Sequence, residues 1–201
     1  MKRLLLPFTL ALLAADLGAS TVDLTPRYLD TQIDGIVARR LYFLEESKKI
    51  GICLDQETVV SAGGGGVVFK FPKVPDASFR IATSPFSPDE AMNDETSLER
   101  YRTSALSYVP GGATEIKVLE ETTNPLPINR WQSHRFLISY QAGANVAKLS
   151  VTFLNVNPTT QLVLLTTAST RNWEEAAGRS FEIIRTWHEI LPGDELASRV
   201  N

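Results

Sequence analysis

Apolar and polar positions alternate along three stretches in the C-terminal half of the chain, and the pattern then changes period. In Trp131–Tyr140, Phe136, Ile138 and Tyr140 share one face while Arg135, Leu137 and Ser139 share the other. In Val146–Asn155, Ala147, Leu149, Val151 and Phe153 lie opposite Lys148, Ser150 and Thr152. A period of two predicts half-buried strands. The connection Gln141–Asn145 is short and holds Gly143 and Asn145, which suits an antiparallel hairpin. Asn155–Thr159, with Pro158, is a second turn signal. The third stretch, Gln161–Thr167, is apolar on both faces at Leu162–Leu165 and is expected centrally in the sheet, covered on both sides.

From Trp173 the apolar residues recur at steps of three and four. Trp173, Ala177, Phe181, Ile184, Trp187 and Leu191 make one stripe, which predicts a helix over Trp173–Leu191. Asn172 with Glu175 fits a capping box, and Pro192-Gly193 is a stop.

Earlier in the chain, Ile36–Leu44 and Lys49–Leu54 predict a hairpin turning at Glu45–Lys48. Gly63–Gly66 reads as a flexible connection, Val67–Phe71 and Ser78–Thr83 as short strands. Ser87-Pro88-Asp89-Glu90 has the residues of a helix start. The main helix of this region is expected over Glu95–Val109, with Leu98, Tyr101, Ala105 and Tyr108 inward and Pro110-Gly111-Gly112 as its end. Thr114–Glu120 predicts a strand with Ile116 and Val118 facing inward. Strands precede each helix, so the expectation is an α+β fold with a largely antiparallel sheet and two helices on opposite faces or on two parts of one face.

The first residues change the picture of compartment. Lys2 and Arg3, the apolar run Leu4–Ala15 and the small residues Gly18-Ala19-Ser20 form the pattern of a secretory signal, too short for a convincing membrane span. The expected organisation is a signal over residues 1–20, an N-terminal arm or irregular lead over 21–35, and a single domain over 36–201. The expected location is periplasmic or secreted, as a soluble protein. With 201 residues, 43% hydrophobic and 21% charged, the chain has the makings of one domain with a sizeable core. A net charge of −3 gives no basic excess to attract nucleic acid or an anionic membrane.

Candidate chemistry is sparse. Cys53 is the single cysteine, so no intramolecular disulfide is possible, and its apolar surroundings Ile50–Leu54 read as those of a small buried hydrophobe. A Cys/His pair would have to use Cys53 with His134 or His188. His134 falls on the Phe136 face of its strand; His188 falls near the end of the expected helix. Two histidines and one cysteine far apart make a poor zinc set. The glycine run lacks the Lys and Ser/Thr of a phosphate loop, and no Gly-x-Ser-x-Gly elbow is present. No catalytic, cofactor-binding or metal residues are assigned.

The order of several of these segments resembles a known family. Leu41–Leu54 is similar to its opening hairpin, Trp131–Phe136 to the strand after a Pro-containing loop, and Leu162–Thr167 followed by Trp173 and Phe181–Trp187 to its closing strand and helix. On these segments the chain resembles the Mog1/PsbP-like superfamily, which includes the photosystem PsbP proteins, the Ran-binding Mog1 proteins and exported bacterial relatives of the DcrB type. The resemblance implies an α/β/α sandwich with a central antiparallel sheet, and a binding or assembly role without a reaction.

Three readings of function follow: a non-catalytic exported module binding another envelope protein, a carrier or sensor of a small apolar ligand, and an enzyme of unrecognised type. For the first, Arg130, Trp131 and Arg135 are the candidate partner-binding residues, since they follow the Pro-rich connection Asn124–Pro127.

Overall fold

A computed structural model describes residues 22–33, 36–55, 57–88, 90, 92, 94–124 and 131–194. The expected signal over residues 1–20 lies outside them.

Two antiparallel sheets make up most of the molecule. The larger has seven strands in the order β4 (Val59–Gly63), β5 (Gly66–Lys70), β6 (Ser78–Thr83), β10 (Thr160–Ser169), β9 (Asn145–Asn157), β8 (Ser133–Ala142), β7 (Thr114–Thr123). The smaller has the order β1 (Val22–Ile33), β2 (Ile36–Glu45), β3 (Lys48–Ile52), β11 (His188–Ile190). Two α-helices accompany them, α1 (Glu95–Ser107) and α2 (Trp173–Arg185). Among the described residues no helix is long and apolar enough to cross a membrane.

The hairpin signals are realised. β8 turns into β9 through Gly143 (φ 61°) and Ala144, and β9 into β10 through Pro158-Thr159. β10 is the middle strand, paired with β6 on one side and β9 on the other. Its side chains alternate between two cores: Leu162, Leu164 and Ala168 enter one, Val163 and Leu165 the other. The first core lies beneath α2 and the smaller sheet, joining Leu41, Phe43, Ile50 and Ile52 to Phe69, Phe79, Ile81, Ile183 and Ile184. The second lies beneath α1, where Tyr101 and Ala105 meet Phe136, Ile138, Val151 and Phe153. The two helices therefore cover opposite faces of the large sheet. The α/β/α expectation holds only in part, because on the α2 side a four-stranded sheet, and not a second helix, completes the layer.

Several expectations need correction. Val22–Ile33 is a strand paired with β2, not an irregular lead; its apolar residues Val22 and Leu24 are buried, but the single-residue spacing is too short to show a period. Ser87, Pro88 and Glu90 are not helical; α1 starts at Glu95, as expected, and is capped by Asp94, whose carboxylate accepts a hydrogen bond from the Ser97 amide at 3.0 Å. The Gly63–Gly66 run is a tight two-residue turn. Gly64 (φ 57°) and Gly65 (φ 76°) form it, while Gly63 and Gly66 already belong to the strands.

The last helix stops at Arg185, a turn and a half before Leu191. The Thr186 hydroxyl donates to the Ile183 carbonyl at 2.8 Å, and the chain then extends to pair His188 with Gly51. Gly51 makes that approach possible, since a Cβ there would stand 2.7 Å from Ile190 Cδ1. Asn172 gives no side-chain cap; its amide donates to Asp76 Oδ1 at 2.5 Å, pinning the β10–α2 junction to the loop before β6. Cys53 is exposed, because β3 ends at Ile52 and the next residue leaves the core. Ile116 and Val118 do not face inward, for α1 covers β8 and β9 and stops short of β7.

Candidate functional site

Two features of the large sheet can hold a partner: its β7 edge, and a cleft between α2 and the sheet floor.

β7 ends the seven-stranded sheet, and its second edge meets no strand among the described residues. Ile116, Val118 and Leu119 on it are 46%, 38% and 51% exposed. Register shifts between Thr114 and Lys117 and between Val118 and Glu120, with Glu115 at φ 52°, put two bulges in it. Its inner side is anchored by charge. On the α2 face, Arg135 Nη2 donates to Glu120 Oε1 at 2.6 Å. The Thr122 hydroxyl and then Arg135 hold the Glu120 carboxyl below the usual glutamate range. On the α1 face, Arg102 Nη2 donates to Glu121 Oε2 at 2.6 Å, and Glu121 Oε1 lies 3.1 Å from Nε2 of the buried His134. The other ring nitrogen of His134 is 3.3 Å from the Thr123 hydroxyl. Burial pushes the His134 imidazole below the ordinary histidine value, against the opposing pull of Glu121. Glu121 is thus shared between Arg102 and His134, and both strap β7 and β8 to α1.

The cleft follows from the sheet register. Across β10, β9 and β8, Ala168 stands beside Lys148 and Ser139, Thr166 beside Ser150 and Leu137, and Leu164 beside Thr152 and Arg135. Side chains of such aligned residues share a face, here the α2 face. The α2 stripe covers β10 and overhangs β9 and β8, leaving a cleft of about 370 Å³. Trp173, Ala177, Phe181 and Ile184 form its roof, and Phe79 with Leu164 its inner wall. Ser150, Thr152, Thr166 and Arg135 form the floor, with Glu174 at the N-terminal end of the helix. Two other depressions, of about 600 Å³ each, lie where the ends of β8, β9 and β10 meet Pro75 and Asp76, and between α2 and the Cys53–Thr58 segment.

Of the three candidate partner-binding residues, Arg130 lies outside the described residues. Trp131 is half-buried, its ring edge-on to Trp187 with centroids 6.5 Å apart. Arg135 both anchors β7 and lines the cleft. The cleft and the β7 anchors were not found from the sequence; the alternation of Lys148, Ser150 and Thr152 marked only a polar face.

The scattered nucleophile and bases stay apart. His134 sits on the α1 face of β8. Cys53 donates its backbone N–H to Thr186 Oγ1 at 2.8 Å, near β11. His188 lies two positions along that ladder, with Nδ1 2.6 Å from the Thr186 carbonyl and Nε2 2.5 Å from Arg40 Nη1. A carbonyl can only accept, so Nδ1 carries the proton and Nε2 accepts from the guanidinium; neither nitrogen is left for a thiol. Among the described residues no group of three or more His, Cys, Asp or Glu could hold a metal ion.

No family model matches the chain, and no curated protein matches it. Solved structures do. The chain is 12% identical to a protein of Bacteroides thetaiotaomicron, over 72% of this chain and 46% of that one, with a TM-score of 0.47, so it spans less than half of that protein. It is 10% identical to cyanobacterial PsbP (CyanoP) of Synechocystis, over 83% of this chain and 94% of that one, with a TM-score of 0.47. It is 11% identical to the Ran-binding protein Mog1p of Saccharomyces cerevisiae, over 82% and 96%, with a TM-score of 0.45. Two of these three bear the names PsbP and Mog1, each at low identity to this chain.

Proposed function

We propose that the protein is a non-catalytic, exported binding module that takes an extended segment of another envelope protein along the outer edge of β7, which meets no strand among the described residues. One observation carries this reading: β7 exposes three large apolar side chains, Ile116, Val118 and Leu119, at the end of the sheet, where β4 and β9 expose one each, Val59 and Val146. An edge strand offers a row of unpaired N–H and C=O groups, and a partner strand added there gains main-chain hydrogen bonds while side-chain contacts set its identity. The Arg135–Glu120 and Arg102–Glu121 pairs hold the strand in place before a partner arrives, which lowers the ordering cost of binding. The two bulges limit indiscriminate pairing to short, matched segments. Export rests on the residue pattern of Lys2–Ser20.

The test is site-specific photocrosslinking in the native envelope, with the probe placed in turn at Ile116, Val118, Leu119 and, as a control, at exposed Val59 on the opposite edge strand. One partner should be captured from the β7 positions and not from Val59, and Val118→Asp should abolish the capture in a folded protein. Equal capture from both edges, or none from β7, overturns the reading. Protein recovered from its host should begin near Ser20 or Thr21; a retained Met1 overturns export.

A second reading, a carrier or sensor of a small apolar ligand, is favoured by the α2 cleft, whose roof and inner wall bring three aromatic rings, Phe79, Trp173 and Phe181, to one cavity.

A further inference from the structure

We infer that the α2 cleft is a binding site for a small amphipathic monocarboxylate, with its carboxylate at Arg135 and Thr152 and its apolar body under Phe181, Ala177 and Trp173. The inference rests on the second reading above and names its ligand class.

The roof demands an apolar body. Phe181 and Ala177 are only half-buried, although both belong to the stripe that faces the sheet. Beneath them the sheet presents hydroxyls where core packing would place aliphatic side chains. Thr152 and Thr166 are 4% and 6% exposed and belong to the lining of the cleft. Arg135 Nε, in the same lining, is buried and has no hydrogen-bond partner among the described residues, and a protein keeps such a costly donor where something else completes it. Ser180, the other buried polar residue of the cleft, is already satisfied, its hydroxyl donating to the Ala176 carbonyl at 2.8 Å.

The polar end has a sign. Arg135 stands directly across from Thr152 in the β8–β9 ladder. Glu120 takes its Nη2, while Nη1 has no partner among the described residues and the side chain is 31% exposed. A guanidinium nitrogen beside a hydroxyl donor suits an oxygen anion. The acidic residue of the lining, Glu174, sits at the other end. That end is marked by Lys148, which lies over the Trp173 ring at 5.7 Å. Lys148 and Thr152 are four residues apart on β9, about 13 Å at the usual rise of a strand. A carboxylate at Arg135 is thus well removed from Glu174, and the interval between them suits a chain of about ten carbons. A cavity of about 370 Å³ is within the size range of ligand pockets.

Titration calorimetry on the folded protein with three probes of one tail length tests this: decanoate, decanol and decyltrimethylammonium. Decanoate should bind at least about tenfold more tightly than decanol, a difference of about 1.4 kcal/mol, and the cation should be weakest. Arg135→Gln should remove the preference for decanoate and leave decanol binding unchanged. Because Arg135 also anchors β7, Thr152→Val serves as a second variant that leaves the Glu120 pair intact; it should weaken decanoate alone. Ala177→Trp, which fills the cleft, should abolish binding of both. Decanoate binding no tighter than decanol, or an undiminished preference in both Arg135→Gln and Thr152→Val, overturns the carboxylate site. If decanol binds and decanoate does not, the carboxylate proposal falls and the apolar-carrier reading stands; if neither binds, both fall.

Discussion

The Trp187 indole lies against the Phe43 ring with centroids 5.7 Å apart and planes inclined by 31°. Phe43 belongs to the small sheet and Trp187 to the segment between α2 and β11, and Trp131 closes on the same indole from the lead into β8. One side chain thus joins both sheets and the helix end. Removing such a core indole costs about 3–5 kcal/mol. Trp187→Ala should lower the melting midpoint accordingly, with loss of near-UV circular dichroism; a midpoint within error of wild type would show that the two sheets are held together elsewhere.

Gln161 should matter more than its polarity suggests. Its buried amide donates to Tyr101 OH at 3.0 Å and to Asn155 Oδ1 at 2.9 Å, and accepts from the Ser84 hydroxyl at 2.6 Å. Gln161→Leu leaves those partners unsatisfied, at about 1–3 kcal/mol. The loss should concentrate on α1, so hydrogen exchange in Tyr101–Ala105 should accelerate more than in α2. Uniform acceleration would mean that the network does not hold α1 in particular.

Two glycines should respond in opposite directions. A Cβ on Gly66 would stand 2.1 Å from the Ile81 carbonyl oxygen, so Gly66→Ala must push β5 off β6 and destabilise the protein. Gly178 in α2 has nothing within 4 Å of the added carbon, so Gly178→Ala should stabilise by about 0.5–1 kcal/mol through helix propensity. Chemical denaturation of the pair decides; a stable Gly66→Ala would show that β5 has room to move.

Stability should climb with pH through the histidine range. In the unfolded chain the His134 ring protonates near pH 6.5, whereas burial holds the folded ring below that value. Between the two the unfolded state carries more protons, so the contribution is fully present above the ordinary value and is lost as pH falls through the folded one. Urea midpoints from about pH 8 to about pH 5 should fall for the wild type and less for His134→Gln; parallel curves would locate the dependence in other groups.

Asp76 acts in a lower window. Its hydrogen bonds from Ser169 and Asn172 hold the carboxyl at about 2. That stabilisation is present above the ordinary carboxylate value and lost as pH falls through the folded one. Asp76→Asn should cost about 1 kcal/mol at neutral pH, with the difference closing toward pH 2. A gap that persists there would point to packing and not charge.

What the sequence showed depended on what its patterns encode. Alternation and turn residues placed β8, β9 and β10 and the middle position of β10, because burial on both faces leaves Leu162–Leu165 uniformly apolar. The same alternation misplaced Ile116 and Val118, since it reports that a strand has two faces and not whether anything covers them. The stripe through Trp187 and Leu191 overran the helix: Trp187 is buried from an extended segment, and Leu191 is 57% exposed. The cleft was illegible because Thr152 and Arg135 come from different strands, and only the register sets them side by side.

The ladder between β3 and β11 ties residues near the start of the described chain to residues near its end. A polypeptide threaded through a narrow channel from its N-terminus, as export would require, has to deliver Ile190 before the small sheet can close. The hairpins from Thr114 to Ser169 need only their neighbours, so they can assemble early and wait. Closure then comes as one late step over a separation of most of the described chain, the slow kind of contact to form. Such an order of assembly keeps the chain threadable for as long as it is still emerging.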